Sequence, residues 1–231
     1  MVWLGMGQYT KNERDLTFVE IQVGSVTLEG NLVIPKNPIG IVLFAHGSGS
    51  GRMSPRNRFV ANELNKNGIA TLLFDLLTRE EEKVDWTTAH LRFDIELLSR
   101  RLIDTTDWLM KNLQASNLKM GYFGASTGAA AALVAAAERQ DVVKSVVSRG
   151  GRPDLAGSKL KDVRCPTLLI VGGDDDIVID LNKEAMSQLT AEKKLIIVPG
   201  ATHLFEEPGK LEEVANHACS WFVKHLGDSI Q

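Results

Sequence analysis

The sequence predicts an α/β fold: one mostly parallel sheet of about eight strands, flanked by helices on both faces. Three observations carry this. Strand-like apolar runs and amphipathic helix-like segments alternate from end to end, the pattern of a sheet covered by crossover helices. Four of the runs, 41–45, 69–74, 120–123 and 142–147, are predominantly apolar without alternation, as strands buried on both faces are. The 231 residues, 44% of them hydrophobic, suffice for one large core that hides roughly 70–75% of the unfolded surface. A single domain over 1–231 is therefore expected, with 1–15 as a possible N-terminal extension.

Taken in order, residues 16–23 and 26–34 are β-rich runs parted by Gly24 and Ser25, which predicts an opening antiparallel hairpin. Pro35 to Gly40 closes that unit. After the strand at 69–74, the charge run Arg79, Glu80, Glu81, Glu82 and Lys83 reads as a solvated loop. Residues 90–113 give the clearest helix, in which Leu91, Ile95, Leu98, Leu102, Leu109 and Leu113 form one apolar stripe. Strands at 167–171 and 195–198 complete the sheet. A last helix opens at Pro208, turns Leu211, Val214, Ala218, Phe222 and Leu226 inward, and ends at Gly227, where a left-handed glycine belongs.

Composition narrows the function classes. The 26 basic and 29 acidic residues give no electrostatic footprint for nucleic acid or an anionic membrane. Cys165 and Cys219 stand in no C-x-x-C or Cys/His spacing, which fits reduced thiols better than a disulfide framework. The apolar start at 1–7 is too short for a signal-peptide core, and the apolar stretch at 129–137 falls short of the roughly 20 residues that span a bilayer. The expectation is a soluble cytoplasmic protein with a small-molecule partner.

The residues that carry chemistry begin with Gly124-Ala125-Ser126-Thr127-Gly128. This G-x-S-x-G lies between a predicted strand and an Ala-rich helix, the context of a nucleophile elbow. Glycines two positions to either side relieve the crowding of such a turn, and the helix N-terminus offers N–H groups to a developing oxyanion. Read alone, the motif also fits a glycine-rich turn with a capping serine. A serine nucleophile needs a base, and histidine suits that task. Of five histidines, His217 and His225 fall on the last helix and His90 begins another. His46 closes the third strand inside His46-Gly47-Ser48-Gly49-Ser50-Gly51. His203 follows the strand at 195–198 through Pro199-Gly200-Ala201-Thr202, which presents it at the same sheet edge as Ser126. An orienting carboxylate is expected between serine and histidine, and Asp174, Asp175 and Asp176 follow a strand there.

With these residues in place the chain resembles the α/β-hydrolase superfamily. In its compact size, its G-x-S-x-G and its G-G-x-D-x-x-V at 172–178 it is similar to the dienelactone-hydrolase-like branch, over about residues 16–226. The resemblance implies that Asp175, three positions before Val178, orients His203. It also implies that the N–H groups of Ser48 and Thr127 form the oxyanion hole, and that His46 supports the turn carrying Ser48. Serine at 126 departs from true dienelactone hydrolases, which use cysteine, so their substrate and thiol chemistry do not transfer. Residues 149–166, where related hydrolases insert a cap, are few, which implies an open, shallow site for small acyl groups.

The expected activity is cleavage of small carboxylic esters through an acyl-serine, with no cofactor or metal. The same triad serves a thioesterase, lactonase or small peptidase, and a ligand-binding protein with little turnover is the reading from another class. Arg149 and Arg152 either line the pocket and favour a carboxylate or phosphate, or pair with local acids such as Asp154.

Overall fold

The computed structural model describes residues 16–112 and 118–227; Leu113 and the segment 1–15 lie outside them. Eight strands form one sheet: β1 (Leu16–Val23), β2 (Val26–Val33), β3 (Gly40–Ala45), β4 (Ile69–Phe74), β5 (Met120–Ala125), β6 (Val143–Arg149), β7 (Thr167–Gly172) and β8 (Lys193–Val198). Their order is β1-β2-β4-β3-β5-β6-β7-β8. The hairpin β1/β2 is antiparallel and lies antiparallel against β4, whereas all other pairings are parallel.

Side chains alternate across the central strands. Ile41, Leu43 and Ala45 face one layer, built from α3 (Ile95–Asn112), α4 (Thr127–Glu138) and a 3₁₀ segment (Pro153–Asp162), while Val42 and Phe44 face the other, built from α1 (Pro55–Lys66) and α6 (Lys210–Leu226). Both faces being covered, β3, β4, β5 and β7 are buried throughout, which explains their predominantly apolar character. Among the described residues no helix is long and apolar enough to cross a membrane.

Three expectations are corrected. The charge run 79–83 is not a loop but the start of a helix, α2 (Arg79–Thr88). Thr78 and Glu81 form a reciprocal capping box at 3.1 and 2.8 Å, and Glu80 to Glu82 in the first turn complement the helix dipole. The helix placed at 90–113 begins only at Ile95. Leu91 sits in a separate 3₁₀ turn (Leu91–Phe93), because Asp94 caps the helix by accepting the Leu97 N–H at 2.9 Å. Gly227 has a φ of −63° and is not left-handed; a Cβ there would lie 2.7 Å from the Val223 carbonyl oxygen, so steric room selects glycine. β6 runs slightly further than expected and includes Arg149, whereas the last helix, α6, starts two residues beyond Pro208.

The tightest helix-to-strand approach is at Gly128, whose Cβ would lie 2.2 Å from the Ala45 carbonyl oxygen and 2.4 Å from that of His46. Both obstacles are backbone and cannot rotate away. Gly128→Ala is expected to lower stability by about 3 kcal/mol, the upper part of the overpacking range. Gly24→Ala, at a hairpin turn of φ +56° with open space around it, should cost only about 1 kcal/mol for left-handed backbone. Urea unfolding midpoints check this, and equal losses would contradict it.

Candidate active site

The chain crosses from β3 outward to β4 and then returns to place β5 on the other side of β3. Ligands in open α/β sheets bind at the carboxyl ends of strands around such a reversal. The two turns that leave β3 and β5 there carry Ser48 and Ser126.

Ser126 joins β5 to α4 with φ 50° and ψ −122°. A non-glycine residue in that conformation is strained and needs neighbours that over-determine it. They are present: the Ser126 N–H donates to the Arg149 carbonyl at 3.3 Å, and the Ser126 carbonyl accepts from Ala129 at 3.1 Å and Arg152 at 3.0 Å. The flanking glycines are required by space. A Cβ on Gly124 would lie 2.4 Å from the Ala129 Cα, and one on Gly47 would lie 2.9 Å from the Ser126 Cβ.

Gly47 thus lets the β3 turn reach the β5 turn. Ser48 Oγ and Thr127 Oγ1 lie 3.0 Å apart, and Ser48 Oγ also donates to the Arg92 carbonyl at 3.3 Å. Thr127 opens α4, so its N–H has no acceptor within the helix. The two residues expected to supply the oxyanion hole are therefore neighbours.

His203 and Asp175 arrive on the loops after β8 and β7. These loops lie back to back: the Asp174 N–H donates to the Ala201 carbonyl at 3.0 Å, and a Cβ on Gly172 would lie 2.3 Å from the same oxygen. His203 Nδ1 meets Asp175 Oδ2 at 2.7 Å. The Asp175 side chain is 17% exposed and that of His203 39%, whereas Asp174 and Asp176 are exposed. Asp176 is the first residue of α5 (Asp176–Gln188). Gly150 connects the histidine to the elbow. It follows Arg149, to which Ser126 is bonded, and its Cβ position lies 3.6 Å from His203 Cε1.

A cavity of about 490 Å³ adjoins this edge, and Ser48 and Thr127 line it; its lining stops short of Ser126 and His203. Leu76, Leu77, Glu82 and Trp86 wall the far side. The covering wall thus comes from α2 and the 3₁₀ turn after β4, not from residues 149–166. Asp85 pins it: the carboxylate accepts from the N–H groups of Leu91 and Arg92 at 2.7 and 3.1 Å and from Arg92 Nε at 2.5 Å. Burial pushes the Glu82 carboxyl above its ordinary range, and the negative charge of Asp75 adds to that. None of these wall residues was foreseen, although Thr78 and Glu81 spell a capping box in the sequence.

Of the two readings of Arg149 and Arg152, pocket lining or pairing with local acids, neither residue lines the cavity and Arg152 takes the second. Arg152 Nε and Nη2 bind Asp154 at 2.9 and 2.8 Å. Arg149 ends β6 and points into the layer of α1, where Nη2 reaches Asn57 Oδ1 at 3.5 Å.

The fold order, the strained serine at a strand-to-helix turn and the Asp–His pair together define an α/β-hydrolase. The sequence model of the Dienelactone hydrolase family matches residues 28–226. The chain belongs to the dienelactone hydrolase family. A crystal structure of dienelactone hydrolase from Anabaena variabilis ATCC 29413 is 60% identical, with a TM-score of 0.89 over 91% of this chain and 97% of that one. Est1E from Butyrivibrio proteoclasticus shares the fold at 17% identity, with a TM-score of 0.75 over 90% and 98% of the two chains. Two Mycobacterium tuberculosis proteins, from strains CDC 1551 / Oshkosh and ATCC 25618 / H37Rv, are 58% identical over 208 residues and carry the name "Putative phosphoribosyl transferase". The match covers 90% of this chain and 46% of each of them, so the chain spans about half the length of these curated relatives.

His46 holds the base of the site. Its Nε2 accepts from the Leu76 N–H at 3.0 Å and its Nδ1 donates to the Gly47 carbonyl at 3.0 Å, which requires the neutral ring with the proton on Nδ1. Burial lowers its pKa below the ordinary 6.5. The unfolded chain takes up a second ring proton as pH falls through 6.5 while the folded chain resists it, so the stability His46 confers is complete above that pH and is lost progressively below it. Replacement by glutamine, whose Oε1 can take over the Leu76 N–H, should flatten the fall in urea midpoint between pH 7 and 5. An unchanged slope would mean that other groups cause the acid sensitivity.

Proposed function

We propose that this chain is a serine hydrolase that cleaves small carboxylic esters by two-step acyl transfer. The observation that carries the reading is the 2.7 Å contact between His203 and Asp175, on loops at the same sheet edge as a serine held at φ 50° at the head of a helix. In this reading Asp175 accepts the Nδ1–H of His203 and fixes the tautomer that leaves Nε2 free to act as base. His203 takes the Ser126 hydroxyl proton as Oγ attacks the carbonyl carbon, and the N–H groups of Ser48 and Thr127 stabilise the oxyanion. The imidazolium then protonates the departing alkoxide. Water repeats the sequence on the acyl-serine and releases the acid.

The cavity supports a small substrate with an apolar part, since Leu76, Leu77 and Trp86 face the polar Ser48 turn across it. The transferase name of the M. tuberculosis relatives belongs to proteins of which this chain matches 46%. The acyl-transfer reading rests on the matched part.

An activated short-chain ester and a phosphonate probe test the assignment. The probe should label the wild type at Ser126 and leave Ser126→Ala unlabelled, and that variant should lose about a million-fold in kcat, as comparable triads do. An unlabelled wild type would favour a binding protein. Among the three neighbouring acids, Asp175→Asn should lower kcat by about 10³ to 10⁴, because the amide offers the histidine the wrong partner. The same change at Asp174 or Asp176, both exposed, should cost less than about tenfold. A large loss at either neighbour with Asp175→Asn nearly silent would move the assignment by one residue.

A further inference from the structure

We propose that Arg149, Arg56 and the N-terminus of α1 form a binding site for a small oxyanion: inorganic phosphate, or the phosphate or carboxylate end of a larger ligand. It does not depend on the acyl-transfer reading.

The anomaly is Arg149. Only 6% exposed, its side chain has Nε and Nη1 fully buried without a hydrogen-bond acceptor, and Nη2 makes the one long contact with Asn57. The other well-buried arginines hold carboxylates: Arg52 binds Glu29 and Asp75, Arg101 binds Glu81, and Arg139 binds Asp107 and Asp141. Among the described residues Arg149 has no such partner. The charge that acts on it is of like sign, from Arg56. Burial together with that repulsion draws its pKa down to about 10, which still leaves a full positive charge at neutral pH. A buried ion without a counter-charge is strongly unfavourable, and natural chains seldom keep one without use.

The surroundings fit an anion. Arg56 Nε is itself buried without an acceptor, so two guanidinium groups have N–H donors to spare. Guanidinium forks match the oxygens of phosphate and carboxylate. Arg56 and Asn57 lie in the first turn of α1, a helix of 12 residues, whose N–H groups and dipole favour negative charge. The Asn57 N–H is met only by Ser54 Oγ at 3.4 Å. The carboxylate present, Glu206, meets Arg56 Nη1 at 2.7 Å, but its side chain is 61% exposed, so the pair is solvent-screened and easily exchanged for a better anion. Arg56 also lines the cavity beside Ser48, which gives an anionic ligand an entry.

Thermal unfolding of the full chain in sodium phosphate, sodium acetate and sodium chloride, at matched pH and ionic strength, tests the site. Phosphate at about a hundredfold excess over its Kd should raise the wild-type Tm by about 5–10 °C relative to chloride. Arg149→Met should abolish that rise and, having removed an unpaired buried charge, should melt no lower than wild type in chloride. Arg56→Gln should weaken phosphate binding at least tenfold, and it decides the matter where Arg149→Met does not fold. Acetate equal to phosphate assigns a carboxylate-bearing ligand, and phosphate alone a phosphate-bearing one. A wild-type Tm no higher in phosphate or acetate than in chloride, or a rise retained in both variants, overturns the proposal.

Discussion

The turn at Ser126 is the constraint on which the carboxyl edge of the sheet is built. A side-chain-bearing residue at φ 50° costs on the order of 1–3 kcal/mol, and it persists because three backbone hydrogen bonds and two close approaches leave it no alternative. Those supports come from different strands. Gly47 belongs to the turn after β3, Gly124 to β5 itself, and Arg149 and Arg152 to β6 and its exit. Moving any one of these elements would release the turn, so the strand order and the serine's conformation are one arrangement.

The same economy governs the partner residues. The loops bearing Asp175 and His203 touch through backbone at Gly172, where a side chain would meet the Ala201 and Thr202 carbonyls at 2.3 and 2.5 Å. The 2.7 Å contact of imidazole and carboxylate is therefore set mainly by the packing of two loops and only finely by the side chains. Thr202 is clasped in turn by Glu207, at 3.2 Å through its N–H and 2.6 Å through its hydroxyl, which fixes the residue preceding the histidine. His46 does the equivalent work one strand away by tying the end of β3 to Leu76 beyond β4.

Legibility in the sequence followed burial. Strands buried on both faces announce themselves as predominantly apolar runs, and every one was placed within two residues of its observed bounds. Ser126 and His203 stood out because a strand-to-helix glycine motif and a histidine after a strand are local patterns, whereas Asp175 was singled out from its two acidic neighbours only by the family resemblance. The α2 helix was not, since Arg79 to Lys83 shows no apolar periodicity; its helicity rests on the Thr78–Glu81 cap and on packing such as the Arg101–Glu81 ion pair at 2.7 Å, which joins residues far apart in sequence. Arg149 was misplaced for another reason. Periodicity finds a strand without fixing its last residue, and a one-residue difference in where β6 ends decides which face its arginine takes.

The cavity wall differs in kind from the carboxyl edge of the sheet. Ser48, Thr127, Ser126, Asp175 and His203 are held by backbone packing at several strand ends. The wall formed by α2 and the following 3₁₀ turn is instead joined through the buried Asp85 to Arg92 and to two N–H groups. Trp86, next in sequence to that anchor, is 82% exposed while lining the cavity, so its indole packs against little of the protein and is free to meet a ligand. The two halves meet where Ser48 Oγ donates to the Arg92 carbonyl. Changes in α2 can therefore reshape what the cavity accepts without disturbing the turn at Ser126. Under the proposed function, that division assigns selectivity to the segment after β4 and bond-breaking chemistry to the ends of β3, β5, β7 and β8.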